Sequence, residues 1–400
     1  MNPMYYLFLL IFLISSLRYG TFLGGDIGTI MLLILFGLLN IFYIYSKNYI
    51  IEIHRIHKFV IMSVLIIGGL QVVHVALGNI TPGEIGLFPV YTSFIMVSCL
   101  IIVPQVISAS KFLHIMSRYS VILTLLGMST LIVGEYEIAS VAITKREPVT
   151  NFLITLPRLE SIFSNPNPFA AVLIGGSLAS VHEVYADSGI SAAPLLIINL
   201  IGLYMSNSDG AILVFVMSIS IYFLLQTGLY KSHRFILAVI SCVTLFTIAL
   251  LGTTNPIKIV ISNLSGRGQL WIASINAWEK NPIFGTGLFR SSDVIAPLIE
   301  STSLKGSGPH NAYLEILLTT GIVGGITYFG VIIYSIFSWI KIRNGQIILF
   351  SLCIAYSTHQ LFELTTSLFG SGILNIISLL TVGYLIKDIV GNQHTSVSVI

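Results

Sequence analysis

Charged residues are scarce in this sequence: Asp, Glu, Lys and Arg make up 9% of the 400 residues, whereas 55% are hydrophobic. A soluble domain has about a quarter of its residues charged, so a soluble globular protein is excluded. The net charge of +3 is too small to indicate a nucleic-acid partner. Cysteine is also rare, and Cys99, Cys242 and Cys353 all lie in apolar runs. This placement predicts buried thiols and excludes a disulfide framework or a metal cluster.

Long apolar runs dominate the remainder. They extend over roughly 15 to 25 residues, enough to cross a bilayer as helices, and they lack the alternation of barrel strands. We therefore predict an all-α polytopic membrane protein with about 12 spans. No internal repeat is evident, so residues 1–400 are expected to form a single membrane domain. The first run has no basic segment before it and is predicted to be a membrane helix, not a cleaved signal. The predicted spans are residues 4–17, 29–45, 59–77, 90–107, 119–133, 168–181, 190–205, 211–225, 235–251, 313–339, 347–362 and 373–390.

Two long polar loops separate these spans, at residues 134–167 and 252–311, the second between helices 9 and 10. With both termini inside the cell, the short connections and tail on the inner side carry ten basic residues, and those on the outer side carry only Arg18. Basic residues in short loops mark the cytoplasmic side, so both long loops are predicted to face outward. The inner set is Lys47, Arg55, Lys58, Lys111, Arg118, Lys231, Arg234, Lys341, Arg343 and Lys387.

The first long loop ends in the motif NPNPF at residues 165–169, where Pro166 and Pro168 stop any preceding helix. Arg158 lies ten residues before this second proline and is expected near the membrane surface. It is either a functional cation or an arginine that snorkels to the lipid headgroups.

The second long loop contains a predicted short helix at residues 269–279. Trp271, Ile275 and Trp278 share one face, as in a helix that lies in the membrane interface. Arg267 precedes this helix, and a guanidinium beside a helix N-terminus suits a phosphate group. The alternative is a plain interfacial anchor with an incidental arginine. Gly285 and Gly287 follow and allow a sharp turn or a close approach to a ligand.

His310 follows the sequence GSGP and precedes a strongly apolar run. An imidazole there can accept a proton at neutral pH, although a single histidine is more often structural. Asn311 is a candidate helix cap, and Gly321 and Gly325 indicate close helix packing. His359 and Glu363 lie four residues apart on one predicted helix face, where a structural hydrogen-bonded pair is favoured slightly over a functional one.

The segments RGQLWIASINAWEKNPIFGTG (267–287) and PHNAYLEILLTTGIVGG (309–325) resemble the O-antigen ligase and polymerase superfamily of bacterial membrane glycosyltransferases. The segment RLESIFSNPNPFAAVLIGG (158–176) is also similar to that family. The resemblance implies transfer of a glycan from undecaprenyl pyrophosphate, with inversion and without metal or other cofactor. The acceptor would be a sugar hydroxyl, on lipid A–core for a ligase or on another lipid-linked repeat for a polymerase.

The resemblance also implies roles for particular residues. Arg267 matches the loop arginine that holds the pyrophosphate, and His310 matches the loop histidine assigned to acceptor activation. Arg158 matches a recurrent arginine before the sixth span. The chain departs from the family in SNSDGAILVF (206–215), where Asp209 stands in place of an arginine. Either Arg158, Arg290 or Lys305 supplies the missing charge, or Asp209 orients one of them, or the chemistry differs.

The leading hypothesis is therefore an enzyme of the bacterial inner membrane, of the ligase type, with its catalytic loops on the outer side. A polymerase with the same chemistry is the alternative. A transporter or flippase of lipid-linked sugars is more distant, because it predicts symmetric repeats and broken helices, and the sequence indicates neither. A structural subunit leaves the loop arginines and His310 unexplained. The expected partners are the lipid-linked donor, the glycan acceptor and the bilayer, without nucleic acid.

Overall fold

The structure is a computed structural model. It describes residues 3–18, 26–46, 55–77, 88–138, 140–151, 154–187, 189–227, 267–287, 291–341, 346–370 and 372–397. The predicted ninth span, residues 235–251, lies outside the described residues, as do Arg290 and Cys242. Cys99 and Cys353 are free and buried, as predicted.

Helices account for most of the described residues, and their bounds follow the apolar runs of the sequence. Six of them are long and apolar enough to cross a membrane, and three shorter apolar helices accompany them. The structure is thus that of a helical membrane protein. The helices are α1 (Pro3–Leu17), α2 (Asp26–Ser46), α3 (Arg55–Ala76), α4 (Phe88–Val97), α5 (Val103–Val106), α6 (Ala109–Val133), α7 (Pro166–His182), α8 (Ala193–Ser206), α9 (Asp209–Gln226), α10 (Arg267–Trp278), α11 (Ser291–Ile295), α12 (Ala312–Lys341), α13 (Ile347–His359) and α14 (Ile373–Val397).

The first long loop contains a sheet that the sequence analysis did not anticipate. Three antiparallel strands, β1 (Tyr136–Ile138), β2 (Val141–Asn151) and β3 (Ile154–Ser161), pair in the order β1-β2-β3. In the register of β2 and β3, Arg146 lies opposite Arg158. Leu159 of β3 is fully buried, and the sheet packs on α6. This part of the loop is therefore folded, and the sheet holds Arg158 in a defined position.

Helix α6 begins ten residues before the predicted span, at Ala109, because Ser108 caps it. The Ser108 Oγ accepts a hydrogen bond from Lys111 N at 3.4 Å. Gly134, at φ 81°, ends the helix and leads into the sheet. Arg118, predicted to lie in a connection between spans, therefore lies within α6.

Helix α7 begins at the NPNPF motif. Asn165 caps it by accepting a hydrogen bond from Asn167 N at 2.9 Å, and Pro166 occupies the first helical position, where its missing N–H costs nothing. Every residue of this helix except Asn167 and His182 is buried, and the helix packs between α6, α8, α9 and α13. Asn167 is thereby held at the end of the central helix of the bundle.

Helix α12 is broken at Gly321, whose φ of 63° is non-helical. The segment 282–287 pairs with the broken turn: Thr286 N donates to Leu318 O at 2.9 Å, and Ile322 N donates to Pro282 O at 2.8 Å. A Cβ on Gly321 would lie 2.3 Å from Ile283 O, so only glycine fits here. The close approach predicted for Gly285 is therefore to the backbone of α12. The backbone groups that this break frees are hydrogen-bonded within the protein, as a membrane segment requires.

Candidate active site

Glu363, which follows the end of α13, is the centre of a cluster of polar side chains. Its Oε1 accepts hydrogen bonds from Arg267 Nη2 at 2.9 Å and from Asn167 Nδ2 at 2.6 Å. Its Oε2 lies 3.5 Å from His310 Nδ1. The Glu363 side chain is 7% exposed, whereas that of Arg267 is 23% and that of His310 is 37% exposed. A buried carboxylate thus holds two partly exposed basic groups side by side.

Arg267 is the first residue of α10, as the phosphate-seat prediction requires. The buried face of α10, formed by Leu270, Ala273 and Ala277, packs against α11 and α12. Only Arg267 Nη2 has a hydrogen-bond partner within the part of the chain that the structure describes. The other N–H groups of the guanidinium are available to a ligand at the N-terminus of the helix.

The predicted tryptophan face of α10 is packed within the protein only in part, since Trp278 contacts the buried cluster that contains Leu270, Ala273 and Ala277. Ile275 is 42% exposed, and Ile272 beside it is 47% exposed. Trp271 Nε1 donates to Pro309 O at 2.9 Å, which ties α10 to the residue before His310. Trp271 therefore helps to position the histidine loop, and the contact of this face with lipid stays a prediction.

His310 has a backbone φ of 48°, in the left-handed region that few non-glycine residues adopt. The next residue, Asn311, caps α12: its Oδ1 accepts hydrogen bonds from the backbone N of Tyr313 and of Leu314, each at 3.0 Å. The predicted cap is thus present. Strained residues of this kind concentrate at functional sites, where the surrounding structure fixes them. Here the cap of α12 and the contact with Glu363 do so.

The charges around Glu363 keep its carboxyl group ionised. Burial alone would raise the pKa of Glu363, but the contact from His310 and the charge of Arg267 outweigh burial and lower this pKa below its ordinary value. The charge of His359 acts in the same direction. A carboxylate at neutral pH is therefore the form that Arg267 and His310 meet.

His359 does not hydrogen-bond to the Glu363 side chain, in contrast to the favoured sequence interpretation. The His359 side chain is buried, and its Nδ1 pairs with Thr366 Oγ1 at 3.1 Å. The backbone N of Glu363 donates to His359 O at 3.0 Å, which continues the turn after α13. The carboxylate is thereby turned toward the loop residues.

Arg158 lies in a separate group of charges near the start of α9. Its Nη2 donates to Asn207 O at 3.3 Å, and its buried Nε has no partner among the described residues. Burial lowers the pKa of Arg158, as does the nearby Arg146, whereas the charges of Asp209 and Glu160 oppose this shift. The charge of Asp209 thus favours the charged form of Arg158, and the interpretation that the aspartate orients this arginine stays a prediction.

The start of α9 also lies beside the Glu363 turn. A Cβ on Gly210, the residue after Asp209, would be 3.8 Å from the ring of Phe362, which precedes Glu363. The two groups of charges thus border the same region. Among the other predicted cations, Lys305 is exposed in the loop before His310, and Arg290 is outside the described residues.

Two members of the cluster, Asn167 and Glu363, do not stand out in the sequence as site residues. Asn167 is part of the helix-breaking motif NPNPF, and Glu363 is spaced to pair with His359. The signal for Glu363 is an acidic residue at the end of a buried apolar helix, which needs a positive partner. Nothing in one sequence connects it with Arg267, 96 residues away.

The model of the O-antigen ligase family matches residues 194–329, which include Asp209, Arg267 and His310. This match confirms the predicted resemblance to that superfamily and supports a membrane enzyme of the O-antigen ligase or polymerase type. Such enzymes imply a lipid-linked glycan and an acceptor as substrates. No curated protein matches the chain.

Proposed function

We propose that this protein transfers a glycan from undecaprenyl pyrophosphate to a sugar hydroxyl at the outer face of the bacterial inner membrane, as an O-antigen ligase. The observation that carries the proposal is the convergence of Arg267 and His310 on the carboxylate of Glu363. The family match includes both basic residues. In this proposal the outward loops are residues 134–167 and 252–311.

The leaving group of this reaction is a diphosphate that gains negative charge as the bond to the sugar breaks. Fixed guanidinium groups stabilise such charge without rearranging during the reaction. Arg267 offers its unpaired N–H groups beside the start of α10. Arg158, on the β3 strand, is a second candidate cation for this role. Arg290 is a further candidate for this role.

His310 is suited to accept the proton of the acceptor hydroxyl. The contact between its Nδ1 and Glu363 favours the tautomer with the proton on Nδ1, which leaves the Nε2 lone pair free. Among the described residues, Nε2 has no hydrogen-bond partner. The histidine is thus oriented by Glu363, which acts as a positioning residue, much as a carboxylate orients a catalytic histidine in other enzymes.

A positioned general base that removes this proton increases the reaction rate by a factor of about 10²–10⁴. The new bond forms between the acceptor oxygen and the anomeric carbon, and the bond from that carbon to the diphosphate oxygen breaks. The electron pair leaves with the diphosphate, and the proton leaves on His310. Attack from the face opposite the leaving group inverts the anomeric centre.

Purified protein given a polyprenyl-pyrophosphate glycan tests the proposal. Transfer to added lipid A–core supports a ligase. Extension of the lipid-linked glycan in the absence of lipid A–core would instead assign the polymerase reaction. If the protein neither transfers the glycan to lipid A–core nor extends the lipid-linked glycan, the proposed function is wrong.

A further inference from the structure

A groove lies between α1 and α6, away from the Glu363 cluster. It encloses about 360 Å³ and is lined almost wholly by apolar side chains of the two helices and the sheet. Leu13 of α1 is 51% exposed and Ile122 of α6 is 56% exposed, so the groove opens on the outer surface of the helical bundle. Ile143 and Ile162 close its end at the sheet.

Arg118 also lines this groove, on the part of α6 that is farther from the sheet. Its Nη1 donates to both carboxylate oxygens of Glu183, at 2.9 and 3.1 Å, and to His114 O at 3.0 Å. The Glu183 side chain is 1% exposed, whereas that of Arg118 is 50% exposed. Every hydrogen bond of Arg118 within the described chain uses Nη1, so its Nε and Nη2 can meet a ligand.

The position of Arg118 within α6 makes this exposure informative. Arg118 precedes the end of α6 at Val133 by 15 residues, inside a helix long and apolar enough to cross a membrane. Glu183 pairs only with Nη1, so the exposed Nε and Nη2 present N–H donors beside the apolar groove, and a lipid phosphate would supply their polar partner. Lys111, on the same face of α6 seven residues earlier, adds a second cation toward the helix start.

We propose that the groove binds one anionic phospholipid, with an acyl chain between α1 and α6 and its phosphate on Arg118. A groove of this volume is at the small end of ligand pockets and suits one hydrocarbon chain. The positions of the arginines indicate whether a phospholipid or the polyprenyl donor occupies the groove. In the proposed function, on which this choice rests, the polyprenyl donor has its diphosphate at Arg267 and Arg158, whereas Arg118 lies on the part of α6 that is farther from the sheet carrying Arg158.

Native mass spectrometry of the purified full-length protein tests this proposal, with phosphatidylglycerol and phosphatidylcholine of identical acyl chains as probes. We expect one phosphatidylglycerol to be retained about tenfold more tightly than phosphatidylcholine, which corresponds to about 1.4 kcal/mol. Ile122→Trp fills the groove and should reduce this retention about tenfold. Leu125→Trp is the matched control, because Leu125 is 50% exposed on the same helix but does not line the groove.

A charge variant tests the headgroup contact separately. Arg118→Gln combined with Glu183→Gln removes the cation without leaving a buried carboxylate unpaired, and the preference for phosphatidylglycerol should disappear. Equal retention of the two lipids by the unmodified protein overturns the proposal, as does an equal effect of the two tryptophan variants. Displacement of phosphatidylglycerol by polyprenyl phosphate would also overturn it, because the groove would then belong to the donor. No arm depends on glycan transfer, so failure here is distinct from failure of the proposed function.

Discussion

Arg267 Nη2 lies 2.9 Å from Glu363 Oε1, so the first residue of a loop helix is fixed to the turn that follows a buried membrane helix. This pair decides where the anion-binding guanidinium sits relative to His310, which contacts the other oxygen of the same carboxylate. A loop arginine alone would sample many positions. The pairing reduces that freedom before a substrate arrives, which is the condition for effective electrostatic stabilisation.

Arg267→Gln should reduce glycan transfer on the order of a hundredfold or more, because one fixed donor to the leaving diphosphate is lost. Arg267→Lys should recover only part of this loss, since an ammonium cannot contact Glu363 and a phosphate with a planar fork. Initial rates of transfer by purified protein measure both effects. Lys280→Gln, an exposed change just beyond α10, is the control and should transfer normally. Normal transfer by Arg267→Gln would remove this residue from the site.

Glu363→Gln should lower the transfer rate more than it weakens donor binding. The amide keeps the shape of the side chain but cannot favour the Nδ1-protonated tautomer of His310 as a carboxylate does. Steady-state kinetics with the donor varied should therefore show a fall in kcat that exceeds any rise in KM. The pH profile of kcat should also shift, which a purely structural defect would not cause. An unchanged profile with a proportional loss of folded protein would show that Glu363 is only structural.

Glu363 should also contribute to stability in a particular pH range. The pKa of Glu363 is lower in the folded protein than its ordinary value, so the unfolded chain binds the proton at a higher pH. The stabilisation is present above that value and is lost as the pH falls through the folded pKa. Thermal unfolding measured from pH 7 to pH 3 should show a higher Tm for wild type than for Glu363→Gln at neutral pH. This difference in Tm should disappear at the acidic end. A constant difference across this range would argue against an ionised Glu363.

The orientation of the loops is testable by labelling in whole cells. A cysteine in place of Glu279, which is exposed beyond the end of α10, should react with a maleimide that cannot cross membranes. A cysteine in place of Lys111, exposed at the start of α6, should react only after the cells are opened. The reverse pattern would place the site inside the cell, away from the proposed donor.

Much of the helical fold could be predicted from the sequence because each apolar run must be a helix in lipid. The sheet at residues 136–161 was missed, because Pro148 in β2 and Pro157 in β3 argue against strands in the sequence. The break at Gly321 was also missed, because it exists only with residues 282–287 paired to it.

The candidate site could be predicted only in part, because some of its members are brought together by tertiary contacts. Arg267 and His310 stand out as basic residues beside helix starts, and a resemblance to a family gave them roles. Their meeting on Glu363 depends on tertiary contacts that local patterns do not contain. The electrostatic influence of Asp209 on Arg158 likewise depends on the tertiary structure.

The most direct test of the account is single-turnover transfer by His310→Asn. Asparagine tolerates the left-handed backbone at φ 48° better than other residues with a comparable side chain, so this variant removes the imidazole with little added strain. We predict that it binds the polyprenyl-pyrophosphate glycan as wild type does and transfers it at least about a hundredfold more slowly. Transfer at a rate close to that of wild type would contradict the account, because no base would then be needed at this position.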